Sequence, residues 1–250
     1  MNLSVIIPSR NIDNLRACVA AVRKHEPGCQ ITLINDGIAV FEQPHGVDGV
    51  MGIKPFVFSR NINIGIRRAM RWGADGVVLL NDDALLESPG GFTLLAKAAE
   101  ERPEFGIIGA TTNVTGQPLQ WRQGIGLREV PHIAFVCVYI PRRTIEQVGL
   151  LDERYCLDYG VDDRDYCEAV TRAGLKVGVH DGCYVDHGSL TSSFRGDPKT
   201  PKSFAQNYAL FRAKCEHCDR TGEPFRAGVG MEGSDRAFVG LDRVGEKVSA

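Results

Sequence analysis

Short apolar runs alternate with helix-period segments along the first hundred residues of this chain. Leu3-Ser4-Val5-Ile6-Ile7 is an apolar run closed by Pro8, the pattern of a buried strand. The next segment sets Ile12, Leu15, Val19 and Val22 on one helical face and stops at Pro27-Gly28. Ile31–Ile34 predicts a second strand, ended by the turn signal Asn35-Asp36-Gly37. Residues 38–58 carry a weaker pattern, with Val47–Ile53 or Pro55–Phe58 offering a short strand. Ser59 is the expected N-cap of a helix reaching Trp72, with Ile62, Ile66, Ala69 and Met70 facing inward. Gly76–Leu80 is the most apolar strand of all, and it ends abruptly in Asn81-Asp82-Asp83.

The second half is more mixed. Its pattern predicts a helix near 91–101, a strand at Gly106–Ala110, and a loop or irregular hairpin rich in Gly, Gln and Thr over 111–132. A strand at Ala134–Ile140, a helix over 142–148 and a helix at Asp162–Ala173 follow, then two strands, Leu175–Val179 and Gly182–His187. Pro201–Cys218 has helical spacing through Phe204, Tyr208, Phe211 and Cys215, whereas 220–250 is Gly-rich and charged without periodicity. Alternation of strand and helix argues an α/β fold with a mostly parallel sheet covered by helices. Ligands in such sheets sit beyond the carboxyl ends of the strands. Pro8-Ser9-Arg10, Asn35-Asp36 and Asn81-Asp82-Asp83 all fall on that rim.

Composition narrows the class. At 250 residues the chain buries a full core as one large domain, or as a domain with a smaller appendage. Its formal charge of -2 gives no bulk attraction to nucleic acid or anionic lipid. No run approaches the roughly 18 apolar residues that suggest a membrane span. Met1–Ser9 enters a strand pattern without a charged leader region. The 8 cysteines are scattered, several inside apolar runs, as buried thiols of a reducing compartment would be. A cytoplasmic location is the resulting expectation.

Three clusters carry candidate chemistry. Asp82 and Asp83 repel one another at the end of a buried strand and call for a counter-charge. A divalent cation with hard oxygen ligands, Mg²⁺ or Mn²⁺ bridging a diphosphate, supplies one; a solvated turn or a helix cap is the bland alternative. Gly160-Val161-Asp162-Asp163-Arg164-Asp165 precedes a helix, where acidic residues cap the macrodipole or furnish a general base. His187, after a short strand, is a hydrogen-bonded structural residue or a further metal or diphosphate contact. Two motifs fail their context. Gly228-Val229-Gly230-Met231-Glu232-Gly233 matches a dinucleotide fingerprint but follows no strand, and Cys215-Glu216-His217-Cys218 lacks a second ligand pair for zinc.

With these residues in place, the chain resembles the family 2 glycosyltransferases of the GT-A fold over roughly residues 2–195. Val5–Asn11 is similar to the family's opening strand and nucleotide loop, and Ile34-Asn35-Asp36-Gly37 to its acidic base-binding turn. Phe58–Gly65 resembles its Asn- and Gly-rich helix start, and Leu79–Asp83 its variable Asp-x-Asp region. Gly160–Gly174 resembles its Glu-Asp helix, and His187-Gly188-Ser189 its His-Gly segment. Asn81 stands where the first acid of the usual triplet is expected, and Asp162-Asp163 replaces Glu-Asp.

The resemblance implies a GT-A (Rossmann-like) fold, a mostly parallel central sheet with flanking helices and a small acceptor-side subdomain. It implies a catalytic domain over 1–195, divided near residue 110 into nucleotide-binding and acceptor halves, with 196–250 a C-terminal helix and a flexible tail or lid. It assigns Asp36 to the nucleobase, Pro8, Ser9 and Arg10 to the walls of its pocket, Arg60 and Asn81 to the nucleotide, and Asp82 to the ribose or sugar. Asp83 and His187 would hold Mn²⁺ or Mg²⁺, and Asp163, or its neighbour Asp162, would be the base. The expected reaction is an inverting transfer from a nucleotide-sugar donor, UDP-sugar favoured, to a hydroxyl acceptor. A nucleotidyltransferase that makes the sugar nucleotide, and a non-catalytic nucleotide- or carbohydrate-binding module, are the alternatives.

Overall fold

The structure, a computed structural model, describes residues 1–124, 126–155, 160–192 and 200–225. Three parallel strands carry the first half: β1 (Leu3–Ser9), β2 (Gln30–Asn35) and β4 (Gly76–Leu80), with β3 (Val47–Met51) at the edge beside β2. β5 (Leu85–Leu86) is a short strand not foreseen from the sequence. β6 (Phe105–Thr112), β7 (Leu127–Glu129), β8 (Cys137–Pro141) and β9 (Lys176–Asp186) extend the same sheet. Among the described residues it has nine strands in the order β3-β2-β1-β4-β8-β6-β9-β5, with β7 paired to β9. β8 runs antiparallel between β4 and β6, so β6 and β9 point the same way as β1, β2 and β4. The ends of all five therefore open on one rim.

Strand alternation splits the core into two layers. Ile6, Ile34, Leu79, Val138 and Val179 pack beneath α2 (Phe58–Arg71), α4 (Arg142–Val148), α5 (Asp162–Arg172) and α6 (Thr200–Thr221). Val5, Ile7, Leu33, Val78 and Ile108 face α1 (Ile12–His25) and α3 (Gly91–Glu101) on the other side. Successive strand residues thus meet opposite helical layers, the reason the central strands read as continuous apolar runs.

Local differences from the sequence reading have local causes. The helix expected to have Ser59 as its N-cap is capped two residues earlier, by Val57, and Ser59 is buried inside it. The amide of Asn61 closes the first helical bond onto the Val57 carbonyl at 3.0 Å. The two strands expected at 175–187 are one strand, β9, carrying an irregularity: Ala110 of β6 pairs with His180, but Thr111 pairs with Tyr184. The extra residues leave the ladder at a bulge, so the interruption that read as a gap between two strands lies within one. The segment 226–250, including the Gly228–Gly233 motif and the expected tail or lid, lies outside the described residues. In α6, Cys218 belongs to the core while Cys215 is part-exposed, a helix-face arrangement.

Candidate active site

Chain order opens a crevice at the rim. From β1 the chain passes outward through β2 and β3, then crosses back to β4 on the other flank of β1, so strand order reverses between β1 and β4. Crevices form at such reversals. Ser9, at the end of β1, donates its hydroxyl to Asp82 just beyond β4 at 2.6 Å. A cleft of about 460 Å³ opens here. Its walls include Pro8, Ser9, Arg10, Asp36, Asn81, Asp82, Asp83, Asp162, Asp163 and His187. Every sequence-predicted site residue but one is brought to it. Arg60 sits on α2 with Nε 3.9 Å from the Glu153 carboxylate and is not among the lining residues.

Each acidic group is held by its local chain. At the end of β2, Asn35 folds the turn, its Oδ1 accepting from Gly37 N at 2.8 Å and Ile38 N at 2.7 Å. That turn sets the buried Asp36 on the cleft wall, where Lys54 donates to its carboxylate and to its backbone carbonyl. Asp82 is 9% exposed. Burial pushes its carboxyl up to about 6, with the Ser9 hydrogen bond and the Arg10 charge opposing and Asp83 adding to the rise.

His187 follows β9 directly, and its backbone amide donates to Asn113 at 2.8 Å. Its Nδ1 lies 2.7 Å from the Val114 carbonyl, and its Nε2 lies 3.0 Å from the Asp83 carboxylate. A carbonyl only accepts, so Nδ1 carries a proton and a neutral ring turns its Nε2 lone pair toward Asp83. Two lone pairs at that distance require a proton, on the ring or on the carboxyl, or a cation between them. The carbonyl-fixed tautomer is the one a metal-binding imidazole uses, and carboxylate with imidazole suits a divalent ion. Among the described residues, no three His, Cys, Asp or Glu side chains gather to hold an ion alone. An ion at Asp83 and His187 would complete its shell with ligand oxygens, as Mg²⁺ does with phosphates.

The opposite wall is the start of α5. Gly160 and Val161 both have positive φ, +91° and +84°. For a β-branched residue such as Val161 this backbone is strained, and strain of this kind clusters at functional sites. The cap supplies no side-chain acceptor, so Asp162 and Asp163 stand in the first turn near the helix's positive end. Asp162 is 8% exposed, and its Oδ1 has no hydrogen-bond partner among the described residues. Burial drives its carboxyl well above the usual range, with neighbouring Asp163 adding to the effect. Asp163 is part-exposed to the cleft but enclosed by its walls, and that enclosure raises its carboxyl while backbone amides, that of Arg164 first, moderate the rise.

Further walls were not read from the sequence. Phe56 and Phe58 lie on them, as do Val114–Gln117, Ala134–Val136, Arg164, Ser192 and Phe204. The Ala134–Val136 wall follows from β8 running antiparallel to β4, for Val136 accepts from the Asn81 amide at 3.0 Å. Phe204 has the i, i+4 spacing of a core residue, yet it is 44% exposed.

The fold is shared with the crystal structure of GalNAc-T7 with UDP, GalNAc and Mn²⁺, at a TM-score of 0.65 and 13% sequence identity. The superposition covers 90% of this chain and 52% of that one, so the chain spans about half the neighbour's length. The architecture is therefore a GT-A-type α/β fold. No protein-family model and no curated protein sequence matches the chain. No described helix is long and apolar enough to cross a membrane.

Proposed function

We propose that this chain is a metal-dependent glycosyltransferase, akin to family 2, that moves a sugar from a nucleotide-diphosphate donor, UDP-sugar favoured, to a hydroxyl acceptor with inversion. One observation carries the reading: Asp83 with His187, and Asp163, come from distant parts of the chain yet line one cleft at the strand reversal. The shared fold with a protein crystallised with UDP and Mn²⁺ supports it.

Asp36 accepts a hydrogen bond from the nucleobase, with Pro8, Ser9 and Arg10 forming the surrounding wall. Asn81 and Asp82 take ribose or sugar hydroxyls. Asp83 and His187 would hold Mn²⁺ or Mg²⁺, which when bound supplies charge neutralisation to the diphosphate. Asp163, with its carboxyl raised by enclosure, draws the proton from the acceptor hydroxyl as that oxygen attacks the anomeric carbon and the diphosphate departs. Approach from the face opposite the leaving group inverts the centre.

Calorimetry of the purified chain with UDP, with and without Mn²⁺, tests the first half of this reading. Incubation with a panel of nucleotide sugars, read by released UDP and by the stereochemistry of the product, tests the second. Metal-independent binding, release of pyrophosphate, or no turnover of any donor would overturn it.

A further inference from the structure

The cleft has an aromatic wall that the proposed transfer chemistry does not use. Phe204, on α6, is 44% exposed and faces the cavity, whereas Phe211, about two turns further along, is 7% exposed in the core. Its ring stacks on Tyr208 with centroids 5.9 Å apart and planes 9° from parallel. The Arg164 guanidinium lies 5.6 Å from the Tyr208 ring and 5.9 Å from that of Phe211. Phe204 also presses on the turn into α5: a Cβ on Gly160 would stand 2.8 Å from its Cδ2. Asn207, one turn on, donates to the Gly160 carbonyl at 3.1 Å.

These contacts hold one face of an aromatic ring open beside the segment that carries Asp162 and Asp163. A large ring left open to the cavity beside two carboxylates offers a ligand an apolar surface next to hydrogen-bond acceptors. The ligand must combine an apolar face for the ring with hydroxyls for the carboxylates. A pyranose does both, because its axial C–H bonds form an apolar face against the electron-rich ring while its hydroxyls project from the edge. Asp36 stands for the nucleotide end of the cleft, at the end of β2, and Phe204 belongs to the end beside Asp163. We infer that Phe204 is the stacking platform of an acceptor site and that the acceptor is a glycan or glycoside, its sugar ring seated on Phe204 with a hydroxyl toward Asp163. This rests on the transferase reading for its catalytic meaning, but the sugar site is testable apart from it.

Saturation-transfer NMR with methyl glucoside, methyl galactoside, methyl mannoside and methyl N-acetylglucosaminide, alone and with UDP and Mn²⁺, is the experiment. At least one glycoside should bind wild type through its ring C–H protons. Phe204→Ala should weaken it by about tenfold, the equivalent of one aromatic contact. Phe204→Trp should restore it, with UDP affinity equal within about twofold in all three proteins. The tryptophan variant and a matched thermal melt separate loss of the platform from loss of the fold. Equal binding by Phe204→Ala, absence of glycoside binding by wild type, or UDP affinity falling in step with the glycoside would overturn the acceptor assignment; the last outcome would place the donor on the ring. If wild type binds glycosides through Phe204 but fails to bind UDP, the sugar site stands and the transferase reading falls.

Discussion

His187 and Asp83 meet at 3.0 Å across the cleft floor although 104 residues separate them, one delivered by the end of β9 and the other by the end of β4. The Val114 carbonyl commits the opposite ring nitrogen to donation. In the proposed reading the pair forms half the shell of a divalent ion, and neither member would do that work alone.

Removing either ligand should therefore uncouple nucleotide binding from metal. His187→Ala and Asp83→Asn should each weaken Mn²⁺-dependent UDP binding by more than about tenfold, the scale at which even supporting residues of metal sites act. The metal-free affinity should change little. Titrations with Mn²⁺ and with EDTA measure the difference, and variants that keep the full metal effect would exclude these two residues as ligands.

The base assignment makes a different prediction. Asp163→Asn should cost roughly 10²- to 10⁴-fold in transfer, the usual contribution of a general base, while leaving UDP affinity intact. The pH profile carries a sign. A base works ionised, so activity is present above its pKa and is lost as pH falls through it. Enclosure raises the Asp163 carboxyl, so the acidic limb of kcat/KM should lie above the ordinary carboxylate value near 3.9. A limb near that ordinary value, or transfer by the Asn variant at the wild-type rate, would remove Asp163 from the role.

Much of this was legible because strand ends announce themselves. Gly76–Leu80 is buried on both faces and has no polar residue until Asn81, so the first carboxylates after it must stand at the rim. Asn35 signals a turn in sequence and makes one in structure. What stayed hidden depends on tertiary placement. Val114 and Ala134 reach the cleft only because β6 ends, and β8 begins, at the same rim as β4. Phe204 shares its spacing with the core residue Phe211, and spacing alone does not tell which of two apolar side chains on one helix meets a cavity instead of a neighbour. Arg60 shows the converse: its motif context pointed to the nucleotide, while its position on α2 turns it to Glu153.

Asp36 and Arg60 therefore make a paired test of nucleotide contacts. Asp36 lines the cleft and is 8% exposed, so Asp36→Ala should lose a hydrogen bond to a charged group, about 1.5–3 kcal/mol or some tenfold or more in UDP affinity. Arg60 makes a half-exposed ion pair outside the lining, a contact type worth at most about 1 kcal/mol. Arg60→Ala should leave UDP affinity within a few-fold of wild type. Calorimetry on both variants decides, and a larger loss at Arg60 than at Asp36 would reverse this map of the nucleotide wall.

The C-terminal helix gives the last test, one of stability. Lys214 of α6 is 0% exposed and donates to Asp152 at 2.9 Å and to Asp165 at 2.6 Å, while Tyr155 donates to the same Asp165 oxygen at 2.8 Å. Lys214→Met would leave the buried Asp165 without its cation, while Asp152 keeps its ion pair with Arg154, and breaking a buried pair from one side costs about 3–5 kcal/mol. Burial already pushes the Asp165 carboxyl up to about 6, with Lys214 pulling against it. An acid raised in the folded state holds its proton more tightly folded than unfolded, so stability falls as pH climbs from its unfolded value toward its folded one. Without Lys214 that folded value rises further and the loss extends to higher pH. Urea unfolding should therefore show a larger deficit for Lys214→Met at pH 8 than at pH 5, where protonation relieves the stranded charge. A deficit below about 1 kcal/mol at both pH values would mean that α6 is not fastened to the domain by these ion pairs, and that the aromatic wall carried by α6 lacks the rigid support assigned to it.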